Sequence, residues 1–209
     1  MDRTYVVVVP VKPPTIGKSR LLGPTDAQRR QLAEAFALDT VAACLGSDRV
    51  AEVLVATDDA AFATRFAALG CATIPDGDTT GLNSALRQAV AEARRRWPAL
   101  LPVALCADLP ALRSADLDAA LADAGGPRAC FVADAAGTGT TLYQAAYDDF
   151  DPHFGVASRR AHLAAGAVEI PGDLVTLRHD VDDLDDLRAA LTLGLGPETT
   201  RLVGSLPDM

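Results

Sequence analysis

Leu100-Leu101-Pro102-Val103-Ala104-Leu105-Cys106-Ala107-Asp108-Leu109-Pro110 decides how the rest of this chain reads. Its apolar residues run without alternation, as in a strand covered on both faces of a sheet. The run stops at one carboxylate, Asp108, and Pro110 ends any strand behind it. Ligands of open α/β sheets bind outside the carboxyl ends of the strands. Asp108 is thereby placed at such an edge, where a carboxylate commonly holds a divalent metal.

Working outward, Tyr5 to Val11 is a second, β-branched buried strand. Thr25-Asp26 caps a helix reaching Leu45, with Leu32, Phe36, Val41 and Leu45 near helical spacing. Val50 to Thr57 reads as a strand, Asp58-Asp59 starts a helix through Leu69, and Cys71 to Ile74 is a short strand. A helix from Leu82 to Trp97 precedes the opening strand. A helix from Ser114 to Ala124 and a strand from Ala129 to Ala133 follow it. This alternation predicts an α/β fold: one Rossmann-like domain over residues 1–209, with a mostly parallel sheet and helices on both faces. The last third departs from it. Thr138-Gly139-Thr140-Thr141 leads into a strand, Leu142 to Ala146. A helix near Ser158 to Ala165, short strands at Val168-Ile170 and Leu174-Leu177, and a final helix opened by Asp180 to Asp183 complete the reading. Antiparallel additions are expected at one sheet edge.

The 209 residues are 49% hydrophobic and 22% charged, a soluble globular composition. No apolar run approaches the ~20 residues that span a bilayer. Tyr5 to Val11 is too short for a signal-peptide core and runs into Lys12, so a cytoplasmic location is expected. A net charge of −9 argues against a general nucleic-acid binder. Cys44, Cys71, Cys106 and Cys130 form no C-x-x-C pair and read as free thiols. His153, His162 and His179 are too scattered for a metal cage.

Five segments carry candidate chemistry. The first is Lys12-Pro-Pro-Thr-Ile-Gly17-Lys18-Ser19-Arg20-Leu21, where glycine amides and the cations Lys12, Lys18 and Arg20 suit an anion, although Walker spacing is missing. The second is the pair Asp108 and Asp180, which from separate loops can share one Mg²⁺. Asp180 and Asp182 read equally as helix caps, and Asp185 and Asp186 as a solvated helix face. The third is Gly137-Thr138-Gly139-Thr140-Thr141, either an anion cradle or a hairpin turn. The fourth is Gly155-Val-Ala-Ser158, either an anion site at a helix start or a plain Ser cap, with His162 one turn on as a packing or surface residue. The fifth is Gly81-Leu82-Asn83, which can approach a base or ribose. Neither G-x-S-x-G nor G-x-G-x-x-G occurs.

In order and spacing, Gly17-Lys18-Ser19-Arg20-Leu21, Gly81-Leu82-Asn83, Ala107-Asp108-Leu109-Pro110, Gly137-Thr138-Gly139-Thr140, Phe154-Gly155-x-x-Ser158 and Asp180-Val181-Asp182 together resemble the guanylyltransferase family of coenzyme F-420 biosynthesis. That family acts on phosphoenolpyruvate or 2-phospho-L-lactate. The resemblance implies a nucleotide-diphospho-sugar transferase (GT-A-like) sheet. It implies transfer of GMP from GTP to phosphoenolpyruvate with release of pyrophosphate, Mg²⁺ as cofactor, and a downstream deazaflavin transferase as possible partner. Neither nucleic acid nor membrane is implied. Carried over, Asp108 and Asp180 hold the metal, and Thr140, Gly155 and Ser158 contact the acid. Lys18, with Lys12 and Arg20, faces the triphosphate, and Gly81 and Asn83 lie near guanosine. Alternatives are the same reaction on 2-phospho-L-lactate, a nucleotidyltransferase for another phosphorylated acceptor such as a molybdopterin or sugar phosphate, and a non-catalytic nucleotide-binding module.

Overall fold

The computed structural model describes residues 4–11, 25–77, 81–124, 126 and 128–205. Strands β1 (Tyr5–Pro10), β2 (Val50–Ala56), β3 (Ala72–Ile74), β4 (Leu101–Leu105), β5 (Cys130–Ala133), β6 (Thr140–Gln144) and β7 (Val168–Glu169) form one sheet in the order β3-β2-β1-β4-β6-β5-β7. β1 pairs in parallel with β2 and β4, β2 with β3, and β5 with β7. β6 runs antiparallel to both neighbours.

Period-two alternation sends neighbouring residues of each central strand to opposite cores. Val7, Val9, Val53, Val55, Val103 and Leu105 enter one core with Leu38 and Val41 of α1 (Asp26–Leu45), Phe66 of α2 (Ala60–Ala68) and Leu117 and Leu121 of α4 (Ser114–Asp123). Val6, Val8, Leu54 and Ala104 enter the other with Leu86, Ala89 and Val90 of α3 (Leu82–Arg96). Both faces are buried, which is why the strands read as continuous apolar runs. The capping box at Thr25 and Gln28 starts α1 where the sequence places it.

The last third differs from the sequence reading in five ways. The antiparallel strand lies inside the sheet, between β4 and β5, not at its edge. β5 turns back on itself through residues 134–139, and β6 slots beside β4, starting at Thr140 rather than Leu142. Leu174-Leu177 is not a strand: Leu174 caps a helical turn, α6 (Val175–Arg178). Its polar groups are claimed by other parts of the fold: Thr176 donates its N–H and hydroxyl to Asp116, and Arg178 donates to the carbonyls of Ala133 and Ile170. Neither Asp180 nor Asp182 caps the next helix. Asp183 does, with Asp186 completing a capping box for α7 (Leu184–Leu193), so Asp186 is no idle surface charge. A further helix, α8 (Pro197–Val203), follows the one expected to be last and packs on α1. No helix among the described residues is long and apolar enough to cross a membrane.

Candidate active site

Asp108 stands in the turn after β4, half-buried at the carboxyl edge of the sheet. Thr40 of α1 sets that turn. Its fully buried hydroxyl accepts the N–H of Leu109 (3.1 Å) and lies within hydrogen-bonding distance of the carbonyls of Phe36 (2.8 Å) and Ala107 (3.3 Å). The residues on both sides of Asp108 are thus tied to one helix.

Asp180 is brought to the same place from far along the chain. The N–H of Val181 donates to the carbonyl of Asp108 at 3.0 Å. The Val181 side chain is fully buried among Leu32, Phe36 and Leu187, an anchor worth ~1.5–3 kcal/mol. Burial, and then the negative charges of Asp108, Asp182 and Asp134, push the Asp180 carboxyl up to about 7. Burial and like charges both disfavour the ionised carboxylate, and a nearby cation would reverse that preference. Among the described residues, no three His, Cys, Asp or Glu side chains form a ready-made metal cage. Mg²⁺ does not need one, since it usually takes one or two carboxylates, substrate phosphates and water.

Thr140 reaches this edge because β6 runs backwards: its first residue lies beside the last residues of β4. Leu105 pairs with Leu142, the Cys106 N–H donates to the Thr141 carbonyl, and the Cys106 thiol lies 3.5 Å from the Thr140 carbonyl. The preceding turn is not an anion cradle. Gly137 donates its N–H to the Asp134 carbonyl, and Thr138 and Gly139 donate theirs to the Asp134 carboxylate at 2.9 and 2.7 Å. A Cβ on Gly139 would lie 2.3 Å from that carboxylate, which explains the glycine. The Thr140 side chain behind the turn is buried, with its hydroxyl 3.0 Å from Nδ1 of His162.

Ser158 is the first residue of α5 (Ser158–Ala164), not its cap. The cap is Ala157, in the left-handed region at φ 55°, and Gly155 before it has φ 131°. The Arg159 N–H donates to the Thr138 carbonyl, which binds α5 to the turn before Thr140. Asn83, expected near guanosine, makes a two-way bond to the Phe154 backbone: it donates to the carbonyl (2.9 Å) and accepts the N–H (2.8 Å). It holds the segment leading to Gly155. Gly81, the cap of α3, faces open space where a Cβ would stand. Lys12, Lys18 and Arg20 lie outside the described residues.

Sequence reasoning overlooked Asp134, Thr40 and the centrality of His162. The first carries a signal, an aspartate three residues before a glycine-rich turn. The second carries none, because its partner loop is 67 residues away.

The sequence model described as "Guanylyl transferase CofC like" matches residues 5–201. The chain belongs to the CofC-like guanylyl transferase family. A phosphoenolpyruvate guanylyltransferase from Thermomonospora curvata is 48% identical, covering 99% of this chain and 91% of the relative. One of the same name from Streptomyces scabiei is 49% identical over 97% of each chain. A solved structure assigned as a nucleotide-diphospho-sugar transferase, from Desulfovibrio desulfuricans G20, aligns with TM-score 0.63 at 17% identity, covering 88% of this chain and 85% of that one. This CofC-like chain is a nucleotidyltransferase on the nucleotide-diphospho-sugar transferase fold.

Proposed function

We propose that this chain transfers GMP from GTP to phosphoenolpyruvate, giving enolpyruvoyl-2-diphospho-5′-guanosine and pyrophosphate in the assembly of coenzyme F-420. The observation that carries this reading is the meeting of Asp108, Asp180 and Thr140 at one sheet edge, from three separate parts of the chain. The full-length relatives named phosphoenolpyruvate guanylyltransferase support the acid.

A phosphate oxygen of phosphoenolpyruvate attacks the α-phosphorus of GTP. The new P–O bond forms as the bond to the bridging oxygen breaks, and that oxygen leaves with pyrophosphate. The nucleophile is already anionic at pH 7, so the site needs no general base, and alignment and charge neutralisation carry the rate. Mg²⁺, held by Asp108 and Asp180, would neutralise the approaching phosphates. Thr140, Gly155 and Ser158 receive the acid. Lys18, Lys12 and Arg20, on the segment after β1, offset the triphosphate charge, and Gly81 and Asn83 border the nucleoside. The product is an activated diphosphate ester suited to a downstream transferase acting on a deazaflavin.

The test is pyrophosphate release from GTP with Mg²⁺ and either phosphoenolpyruvate or 2-phospho-L-lactate. The reading expects turnover with phosphoenolpyruvate. Turnover with 2-phospho-L-lactate alone reassigns the acid, and GTP binding without release in either arm refutes the enzyme reading.

A further inference from the structure

His162 is a completely buried imidazole in direct contact with a residue of the acid site. Its Nδ1 lies 3.0 Å from the Thr140 hydroxyl, and its Nε2 accepts the backbone N–H of His153 at 2.9 Å. The ring stacks on Phe131 and Tyr143, which face each other across β5 and β6 (centroid distances 5.3 and 4.8 Å). It meets Phe154 edge-on at 5.6 Å. A ring turned over would present carbon to both polar partners, so the two hydrogen bonds fix its orientation.

They also fix its proton. A backbone amide can only donate, so Nε2 must keep its lone pair, and in the neutral ring the proton sits on Nδ1. Burial pulls the imidazole down to about 4, so the ring is neutral at working pH. Thr140 therefore accepts from His162, beside the Ser158 carbonyl that also draws on the ring, and its own O–H is not used on the ring. A freely rotating hydroxyl can turn a lone pair toward an anion. One whose oxygen already accepts a proton from a fixed donor is set to donate.

We propose that His162 is a positioning residue for the acid substrate: it donates from Nδ1 to Thr140, so that the threonine hydroxyl is held as a donor to the anionic acid, while Nε2 holds the His153 amide and the segment leading to Gly155. This rests on the reading that Thr140 contacts the acid. One ring thereby links the three acid-contacting positions: Thr140 directly, Ser158 one turn earlier on the same helix, and Gly155 through residues 153–154.

His162→Phe keeps an aromatic ring for Phe131 and Tyr143 and removes both hydrogen bonds. His162→Asn keeps a donor near Nδ1. The phenylalanine variant should raise KM for phosphoenolpyruvate about 10- to 100-fold, the scale of one hydrogen bond to a charged group, with KM for GTP within about twofold. The asparagine variant should recover most of that loss. Thr140→Val should cause a similar rise, and adding His162→Phe to it should raise KM by clearly less than His162→Phe does alone, because the two share the Thr140 hydroxyl and only the arm to the Gly155 segment is left to lose. In the wild-type enzyme, ¹⁵N-histidine spectra should show one neutral ring protonated at Nδ1 that disappears in His162→Asn.

A folded His162→Phe enzyme with unchanged KM for phosphoenolpyruvate, full additivity with Thr140→Val, or a proton on Nε2 overturns the inference. If His162→Phe does not fold, the wild-type spectra and the asparagine variant still decide. Absence of pyrophosphate release by wild-type enzyme with phosphoenolpyruvate refutes the substrate reading instead, whatever the spectra show.

Discussion

Replacing Asp180 with asparagine should stabilise the metal-free protein while destroying its activity. The Asp180 carboxyl is raised from 3.8 to about 7 by burial and by Asp108, Asp182 and Asp134. Ionising it in the folded state therefore costs about 4 kcal/mol. The folded protein holds this proton to higher pH than the unfolded chain does. The cost is accordingly absent below about pH 4, grows as the pH rises, and is complete above about pH 7. A neutral amide at this position has no such cost, so the variant's advantage should be about 2 kcal/mol at pH 5.5 and about 4 kcal/mol at pH 8. For a chain of this size the difference between the two pH values is roughly 4–8 °C in Tm. The assay is thermal or urea unfolding of wild type and Asp180→Asn at both pH values, in EDTA and then with excess Mg²⁺. In Mg²⁺ at pH 8 the gap should narrow, since the cation binds the folded wild type and not the variant. An advantage that does not grow with pH, or a variant less stable than wild type at pH 8, would refute the electrostatic reasoning. An unchanged gap in Mg²⁺ would remove Asp180 from the metal site while leaving that reasoning intact.

Other outcomes follow from the same geometry. Asp108→Asn should lower turnover at least ~100-fold in a folded enzyme, the scale of losing one principal electrostatic group, as measured by pyrophosphate release. Thr40→Val leaves the buried Leu109 N–H without its acceptor, so urea unfolding should show a loss of about 1–3 kcal/mol, and kcat should fall as Asp108 drifts. Gly139→Ala drives a methyl against Asp134 and breaks the turn that presents Thr140, so KM for the acid should rise more than KM for GTP. Asp39→Ala removes the buried carboxylate that accepts the N–H groups of Glu198 and Thr199 at the start of α8. It should cost about 1–2 kcal/mol in unfolding experiments, and because Gly196 at the start of α8 donates its N–H to the Pro110 carbonyl behind Asp108, kcat should fall as well.

The parallel half of the fold was legible because each of its signals is local. Val6 to Val9 is apolar at every position since alternate residues face two cores, and Thr25 with Gln28 spells out a helix start within four residues. Leu174 to Leu177 misled because a β-branched pair in a short apolar run does not say whether a strand lies beside it. Asp116 and the backbone carbonyls near Arg178 settled that segment as a helical turn. Asp180 and Asp182 read as possible caps, and only the N–H groups of Asp185 and Asp186 gave that role to Asp183 instead.

By itself the sequence determined the layered α/β plan, the aspartate that closes β4, and the roster of polar residues from which a site is built, because periodicity and capping act within a few residues of chain. Tertiary structure decided which of them meet. Inserting β6 backwards beside β4 brings Thr140 to the Asp108 edge, and Val181, buried against α1 and α7, carries Asp180 there. It also turned His162 from a packing residue into the link between Thr140 and the Gly155 segment, since a ring's proton is set by what lies at its two nitrogens, and here those partners are 22 and 9 residues away.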